Sequence, residues 1–473
     1  RGLVGRSVPR DQRLRVNTMM AEAPVSSTGP TYQDYLDADS RPVPGVLRAQ
    51  SRPNLGVAPL RADRYTSQAF FDLEAERLWP RVWQMACREE EVAQPGDAVV
   101  YDILGFSWII VRGQDGRLRA LANSCLHRGR RLLDADARHL DSLHCKFHGF
   151  RWGLEGQLQS IPCRWDFPQL TDAGMQLPEA RVGTWGGFVF INLDPAAPSL
   201  EAFLGVLPAH FARWKLEDCW KAVHVAKVIP CNWKVAQEAF MESYHVIATH
   251  PQILPIIADA NSQYDVFGDH VNRNLTAFAA PSPHLARQPV SDADVLQQML
   301  ALWRAPGVKL PDNIATPRAA LGELNRRSFA RAFAGDFSEA TDAEVLDALV
   351  YNVFPNFSPW GGFAPNIVYR WRPQGRKVDE CLMEVMILKR LPADGTRPAP
   401  VPVHRLRDDE SWSDAAELPI LGAVIDQDMG NMPQVQTGLQ ASRTGTVHLG
   451  RYQELRVRHF HRTLDKYLAQ PPA

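Results

Sequence analysis

Two short pairs of residues carry the clearest chemistry in the chain: Cys125-Leu126-His127 and Cys145-Lys146-Phe147-His148, with seventeen residues between them. Thiolate and imidazole are metal ligands, and each pair is close enough in sequence to sit on one tight loop. Gly129 and Gly149, just after the pairs, give the backbone freedom such loops need. Four ligands in two pairs serve either a structural zinc or a cluster of two irons and two sulfides, with two Cys on one iron and two His on the other. Ligand count does not separate these. Spacing favours the cluster, because zinc fingers pair Cys with Cys and His with His, whereas each loop here offers one of each. His139 and His144 read as solvated loop histidines.

A second constellation is Glu242-Ser243-Tyr244-His245-Val246-Ile247-Ala248-Thr249-His250. Five helical residues turn about 500°, which sets the two imidazoles about 140° apart, so a straight helix does not aim both at one ion. Pro251 directly after His250 predicts a break there that swings the second ring back. Taken alone, the spacing is a weak signal and is better read as two ordinary helical histidines. Far along the chain, Val424-Ile425-Asp426-Gln427-Asp428-Met429-Gly430-Asn431-Met432 supplies two carboxylates that by themselves read as helix surface.

These residues need a scaffold, and the composition provides one. The chain has 473 residues, 45% apolar and 22% charged, which predicts two or three soluble domains. Lys plus Arg is 52 against Asp plus Glu 53, so the charge balance supports neither nucleic acid nor an anionic membrane as a partner. Seven cysteines without a pairing pattern fit a reducing compartment, and the expected location is the cytoplasm. Apolar runs such as Gly187 to Ile191 fall well short of the roughly 20 residues of a membrane helix. The opening stretch to Met20 is Arg-rich without a secretory apolar block; Met19 or Met20 reads as a natural initiator.

Residues 1–60, rich in Pro, Ser and Arg, read as an extended arm. Thr66 to Trp83 has the apolar pattern of an amphipathic helix that Pro80 ends. Short β-rich runs follow at Ala98 to Ile103, Ser107 to Val111 and Leu118 to Ala122, and the strand pattern lasts to Leu193. A domain boundary is expected near 195, giving domains 61–195 and 196–473 after the arm. Beyond it, Ser291 and Thr341 stand at the head of capping-box helices, strands are expected at Ile367 to Trp371 and Cys381 to Leu388, residues 391–418 read as a surface loop, and a terminal helix carries Leu455, Phe460, Leu464 and Leu468. The fold class is α+β, with a small antiparallel β domain and a second domain in which helices wrap an antiparallel sheet.

Cys125-Leu126-His127-Arg128-Gly129 and Cys145-Lys146-Phe147-His148-Gly149-Phe150 resemble the cluster-binding loops of Rieske domains, with Lys146 where that family usually has proline. Asn232-Trp233-Lys234, Glu238-Ala239-Phe240 and Glu242-x-Tyr244-His245 resemble the mononuclear iron segment of Rieske non-haem iron ring-hydroxylating oxygenases, large (alpha) subunit. The resemblance implies a [2Fe-2S] cluster on Cys125, His127, Cys145 and His148, and Fe(II) on His245, His250 and a distant carboxylate, Asp428, with Asp426 as the alternative. It implies a helix-grip-like catalytic domain, a homotrimer with or without a small beta subunit, and a ferredoxin or flavin reductase as electron donor. In that family an acidic residue three before the first iron histidine bridges to a cluster histidine of the neighbouring subunit; here it is Glu242, where aspartate is commoner, facing His148. Glu238 is expected to be a structural carboxylate.

Arg128, Arg130, Arg131 and Lys146 form a basic collar that would attract an acidic donor. Ala239, Phe240 and Met241, with Phe354, Phe357, Trp360 and Phe363, favour a hydrophobic aromatic substrate, ordinary core being the other reading. The expected reaction is ring dihydroxylation with O₂ in aromatic hydrocarbon catabolism, with monooxygenation or oxidative demethylation as the alternative. An electron carrier and a zinc-stabilised binding protein are the more distant readings. Metal analysis separates them: about three irons and about two acid-labile sulfides per chain for an oxygenase, about two irons for a carrier, and zinc without sulfide for the last.

Overall fold

A computed structural model describes residues 28–171, 174–303, 316–364 and 366–471; the Arg-rich start and its Met19 and Met20 lie outside them. The part of the arm that is described is not simply extended. Thr31 caps a short helix, α1 (Tyr32–Asp37), whose Tyr32 hydroxyl donates to Asp347 at 3.1 Å, and Asp39 accepts the backbone N–H groups of Asp342 and Ala343. Tyr32, Leu36 and Leu47 are buried, so this segment is a strap fastened to the second domain by its own apolar residues.

Ser67 caps α2 (Gln68–Arg77), shorter than its apolar pattern and over before Pro80. The first domain's sheet then begins. Its strands are β1 (Gln84–Arg88), β2 (Ala98–Ile103), β3 (Phe106–Arg112), β4 (Leu118–Ala122), β8 (Glu179–Trp185) and β9 (Phe188–Asn192), antiparallel in the order β1-β9-β8-β4-β3-β2. A separate three-stranded sheet, β5 (Leu143–His144), β6 (Arg151–Trp152) and β7 (Leu158–Ser160), carries the second Cys/His pair. A compact apolar core with Ile109, Leu121, Leu143 and Trp152 joins the two sheets and includes Cys125 and Cys145, so the ligand loops are pinned from beneath.

The second domain is built on eight strands: β10 (Cys219–Ile229), β11 (Gln263–Phe267), β12 (Val271–Thr276), β13 (Ala348–Val353), β14 (Phe357–Pro359), β15 (Asn366–Pro373), β16 (Cys381–Arg390) and β17 (His404–Arg405). Their order is β11-β12-β13-β14-β15-β16-β10-β17, antiparallel except for the β10–β17 edge. Helices α3 (Trp233–Glu238), α4 (Val246–Thr249), α5 (Asp292–Leu302), α6 (Pro317–Ala332), α7 (Asp342–Leu346), α8 (Leu421–Met429), α9 (Met432–Ala441) and α10 (Leu455–Leu468) surround it. Thr341 and Glu344 make the expected capping box, but α7 stops at Leu346, because the apolar residues that follow are taken into β13. No helix among the described residues is long and apolar enough to cross a membrane.

Charged residues buried in pairs lock these parts together. Glu384 on β16 receives two hydrogen bonds of 2.7 Å from Arg370 on β15, and Arg370 also donates to the carbonyls of Met85 and Ala86 on β1, tying the two domains. Lys234 on α3 meets Glu74 on α2 at 2.6 Å with both side chains sealed from solvent, and Trp233 donates to the same carboxylate. Burial lowers the Lys234 pKa, opposed by Glu74. Removing one member strands a charge in the core, which costs about 3–5 kcal/mol. Glu74→Ala is therefore expected to lower stability by about that amount in denaturant titration, and Glu74→Leu combined with Lys234→Met to recover most of it.

Candidate metal centres

The two Cys/His loops have the same backbone design. Gly129 N–H donates to the Cys125 carbonyl at 2.9 Å and Gly149 N–H to that of Cys145 at 3.0 Å; each glycine has φ near +75°, which a side chain would strain. Cys125 N–H then reaches the Arg130 carbonyl and Cys145 N–H that of Phe150, closing each loop at its base. The result brings the His127 and His148 rings to 4.6 Å, with His127 stacked on Phe150. Nδ1 of each histidine is buried without a hydrogen-bond partner, as a ring nitrogen meant for a metal would be. Burial pushes the Cys145 thiol up, but the backbone N–H groups of Phe147 and His148 outweigh it and hold the thiol below its ordinary value, favouring the ligating thiolate.

The basic collar is largely spent inside this domain. Arg130 pairs with Asp134 at 3.0 Å, Lys146 with the same carboxylate at 3.5 Å, and Arg131 with Asp102 at 3.0 Å, while Arg128 lies over the Phe147 ring. Exposed apolar side chains, Leu126, Phe147 and Trp165, are the more prominent feature of this end.

At the second constellation, the expected break is the central event. Asn232 caps α3, which ends at Glu238. The next turn is pinned to the sheet by Ser243, whose N–H donates to the Tyr264 hydroxyl and whose Oγ meets Thr276, both at 3.0 Å. Only four residues of α4 follow; His245 is its N-cap and His250 its C-cap, with φ −126° and ψ 48°, before Pro251 starts a 3₁₀ turn. The rings thus come to 5.2 Å from each other. Asp428, on α8, completes the group: its Oδ1 lies 3.0 Å from His250 Nε2 and 3.6 Å from His245 Nε2. One ligand atom from each of the three falls within 4.8 Å of the others.

The far nitrogen of each ring is also held. His245 Nδ1 is 2.7 Å from Glu242 Oε1, and Glu242 Oε2 accepts the His245 backbone N–H; His250 Nδ1 is 2.8 Å from Gln427 Oε1. With an acceptor at each Nδ1, both Nε2 atoms present lone pairs to the same point as Asp428. Burial opposes protonation of His245, but Glu242 and Asp428 outweigh it and raise its pKa. Asp426, two residues from Asp428, turns the other way and accepts from the N–H groups of Trp412 and Ser413 and from the Ser413 hydroxyl. Glu238 is bonded to Tyr65 and His461 and is absent from the His245–His250–Asp428 group. Gln427 had no signal in the sequence beyond lying between two carboxylates.

A cavity of about 340 Å³ opens beside this point, with Glu242, His245 and Asp428 on one wall and Met432, Val435 and Leu439 on another. Of the expected aromatic lining, Phe354 stacks on Tyr467, Phe357 packs on Phe188 and Phe363 on Phe337, all in the core; Met241 is buried too. Trp360 and Phe240 instead lie beside Tyr369.

Comparison with known proteins fits both centres. The family described as ring hydroxylating alpha subunit (catalytic domain) matches residues 208–470, and the Rieske [2Fe-2S] domain matches residues 82–171. The chain belongs to the ring-hydroxylating oxygenase alpha-subunit family. Its cofactors are a Rieske [2Fe-2S] cluster and a mononuclear iron, which sets the zinc protein and the bare electron carrier aside. Among curated relatives, the carnitine monooxygenase oxygenase subunit of Escherichia coli (strain K12) is 33% identical over 223 residues, 46% of this chain and 58% of the relative. The chlorobenzene dioxygenase subunit alpha of Cupriavidus sp. (strain PS12) is 31% identical over 191 residues, 39% of this chain and 42% of the relative. The matched span is thus little more than half of the first relative's length. A quaternary ammonium Rieske monooxygenase in complex with L-carnitine shares the fold at TM-score 0.60 and 19% identity, covering 89% of this chain and 99% of that one. A naphthalene 1,2-dioxygenase variant bound to phenanthrene does so at TM-score 0.62 and 18% identity, covering 89% and 94%.

The two aspartates of α8 are separable by experiment. Asp428→Ala is expected to lower iron from about three to about two per chain with the cluster's visible absorption intact, whereas Asp426→Ala keeps the iron and lowers stability by about 1–3 kcal/mol.

Proposed function

We propose that the chain is the terminal component of an oxygenase that uses O₂ and electrons from a ferredoxin or flavin reductase to hydroxylate a hydrophobic aromatic substrate. The observation that carries this reading is the convergence of two histidines and one aspartate in a chain that also has the cluster domain. Cys125 and Cys145 hold one iron of the cluster, His127 and His148 the other, with the domain boundary near residue 195. His245, His250 and Asp428 would hold the catalytic iron, which would supply the O₂-dependent oxidising chemistry.

The chain's own groups prepare that site. Glu242 fixes the tautomer of His245 through Nδ1, Gln427 does the same for His250, and the pinned turn at Ser243 keeps Glu242 at the mouth of the cavity. Exposed apolar residues gather at two places: Leu126, Phe147 and Trp165 at the cluster end, and Tyr244, Ile247 and Val435 at the iron end. Arg128 adds positive charge to the first, and Glu238, Glu242 and Glu454 add carboxylates to the second. Two different patches that complement each other join copies head to tail, and such a contact gives a closed ring where the rotation between copies closes, here as a homotrimer with or without a small beta subunit. In that ring Glu242 links His245 to His148 of the partner subunit. The expected location is the cytoplasm, where reduced donors are available.

The aromatic cluster of Phe240, Trp360, Tyr369 and Trp371 supports an aromatic substrate and, in line with the dioxygenase relatives, ring dihydroxylation. The carnitine monooxygenase relatives favour the second reading, monooxygenation or oxidative demethylation. Turnover of an aromatic panel under ¹⁸O₂ decides between them: two labelled oxygens in one product support dihydroxylation, and one labelled oxygen, or release of formaldehyde, supports the alternative. Glu242→Ala is expected to keep both iron centres and lose coupled product formation; full activity in that variant removes the bridging role.

A further inference from the structure

Beside the carboxylate of Asp428, the sheet presents a cluster of aromatic rings. Tyr369 and Trp371 stand two apart on β15 and share one face. Phe240, in the turn after α3, packs on both, with centroids at 4.8 and 5.3 Å, and Trp360 on the neighbouring chain segment lies 6.4 Å from Tyr369. Asp428 is near enough for its charge to act on the phenol, after burial the second influence on that group. Phe240 and Trp360 are only half-buried, so one side of the cluster is open.

Tyr369 differs from every other buried tyrosine among the described residues. Tyr32 bonds Asp347, Tyr65 bonds Glu238, Tyr101 bonds Gln84, Tyr264 bonds Gln453 and Tyr351 meets His210. Tyr369 is 2% exposed and its hydroxyl has no hydrogen-bond partner. The indole N–H groups of Trp360 and Trp371 are buried and unpartnered as well. A hydroxyl with no protein partner beside a metal-binding group is free to donate to a ligand.

We propose that Tyr369 is a substrate-orienting residue, its hydroxyl donating to an oxygen acceptor on a neutral aromatic molecule whose ring packs among Phe240, Trp360 and Trp371. This rests on the oxygenase reading above and narrows its substrate class. None of the cluster's side chains is cationic, so a carboxylate or phosphate packed among these rings would be buried without a counter-charge. A quaternary ammonium would gain the ring faces but offer no lone pair to the three donors. An aryl ketone or aryl ether satisfies both the rings and the hydroxyl.

The test uses the resting, oxidised holoenzyme without reductant, with iron and sulfide measured on the same sample, so that failure of the oxygenase reading shows in metal content and not in binding. Calorimetric titration compares acetophenone, ethylbenzene, which has the ring but no acceptor, and benzyltrimethylammonium. Acetophenone is expected to bind roughly fivefold or more tightly than ethylbenzene, and Tyr369→Phe to abolish that difference while leaving ethylbenzene unchanged. Trp360→Phe, at the half-exposed rim, tests the same donor set by a change that spares the sheet, and is expected to weaken acetophenone more than ethylbenzene. Equal preference in wild type and Tyr369→Phe overturns the proposal, as does tighter binding of ethylbenzene or benzyltrimethylammonium by the wild-type enzyme.

Discussion

The convergence of His245, His250 and Asp428 depends on the helix ending at His250. Had the α4 helix run straight through, the two imidazoles would point about 140° apart and no third residue would bring them to one ion. Pro251 lacks the N–H that helix continuation requires, and the backbone at His250 leaves the helical region, so the second ring turns back toward the first. The remaining features of the site fix this bend. Ser243 anchors the turn before it to β11 and β12, and Asn431 donates to Thr249, tying the end of α8 to α4.

Orientation of the rings is set from behind. A histidine has two nitrogens, and which one is left for a metal follows from what the other bonds. Glu242 and Gln427 occupy the Nδ1 positions of His245 and His250, leaving both Nε2 atoms inward. At the cluster loops the arrangement is reversed: Nδ1 of His127 and of His148 is the buried, unpartnered atom. One chain therefore presents imidazole through opposite nitrogens at its two centres, and the local loop geometry decides which.

The buried ion pairs serve a related purpose. Glu384 with Arg370, and Glu74 with Lys234, lie where separate elements meet, between β1 and the large sheet in one case and between α2 and α3 in the other. A charge buried in such a place is tolerable only with its partner in position, so each pair penalises any shift of one element against the next. The strap that includes α1 acts in the same way at both ends of α7: Asp39 accepts from its first N–H groups, and the Tyr32 hydroxyl donates to Asp347 at its C-cap.

The sequence by itself determined the paired Cys/His loops, the run of strands from Ala98 to Ala122, the terminal helix and the stop after His250, because each follows from local rules: short-range Cys/His spacing, β-rich runs between turns, amphipathic spacing and the missing N–H of proline. Local rules could not choose between Asp426 and Asp428. Only packing shows that one turns to Trp412 and Ser413 and the other to the histidines. The same limit applies to the aromatic run, where Phe354, Phe357 and Phe363 went to the core and Trp360 came to lie beside Tyr369, and to the collar, where Arg130 and Arg131 found carboxylates at Asp134 and Asp102. Gln427 and Tyr369 acquire meaning only from neighbours distant in sequence. Which ligands a backbone segment offers is a property of a few adjacent residues; which way a side chain faces is a property of everything packed around it.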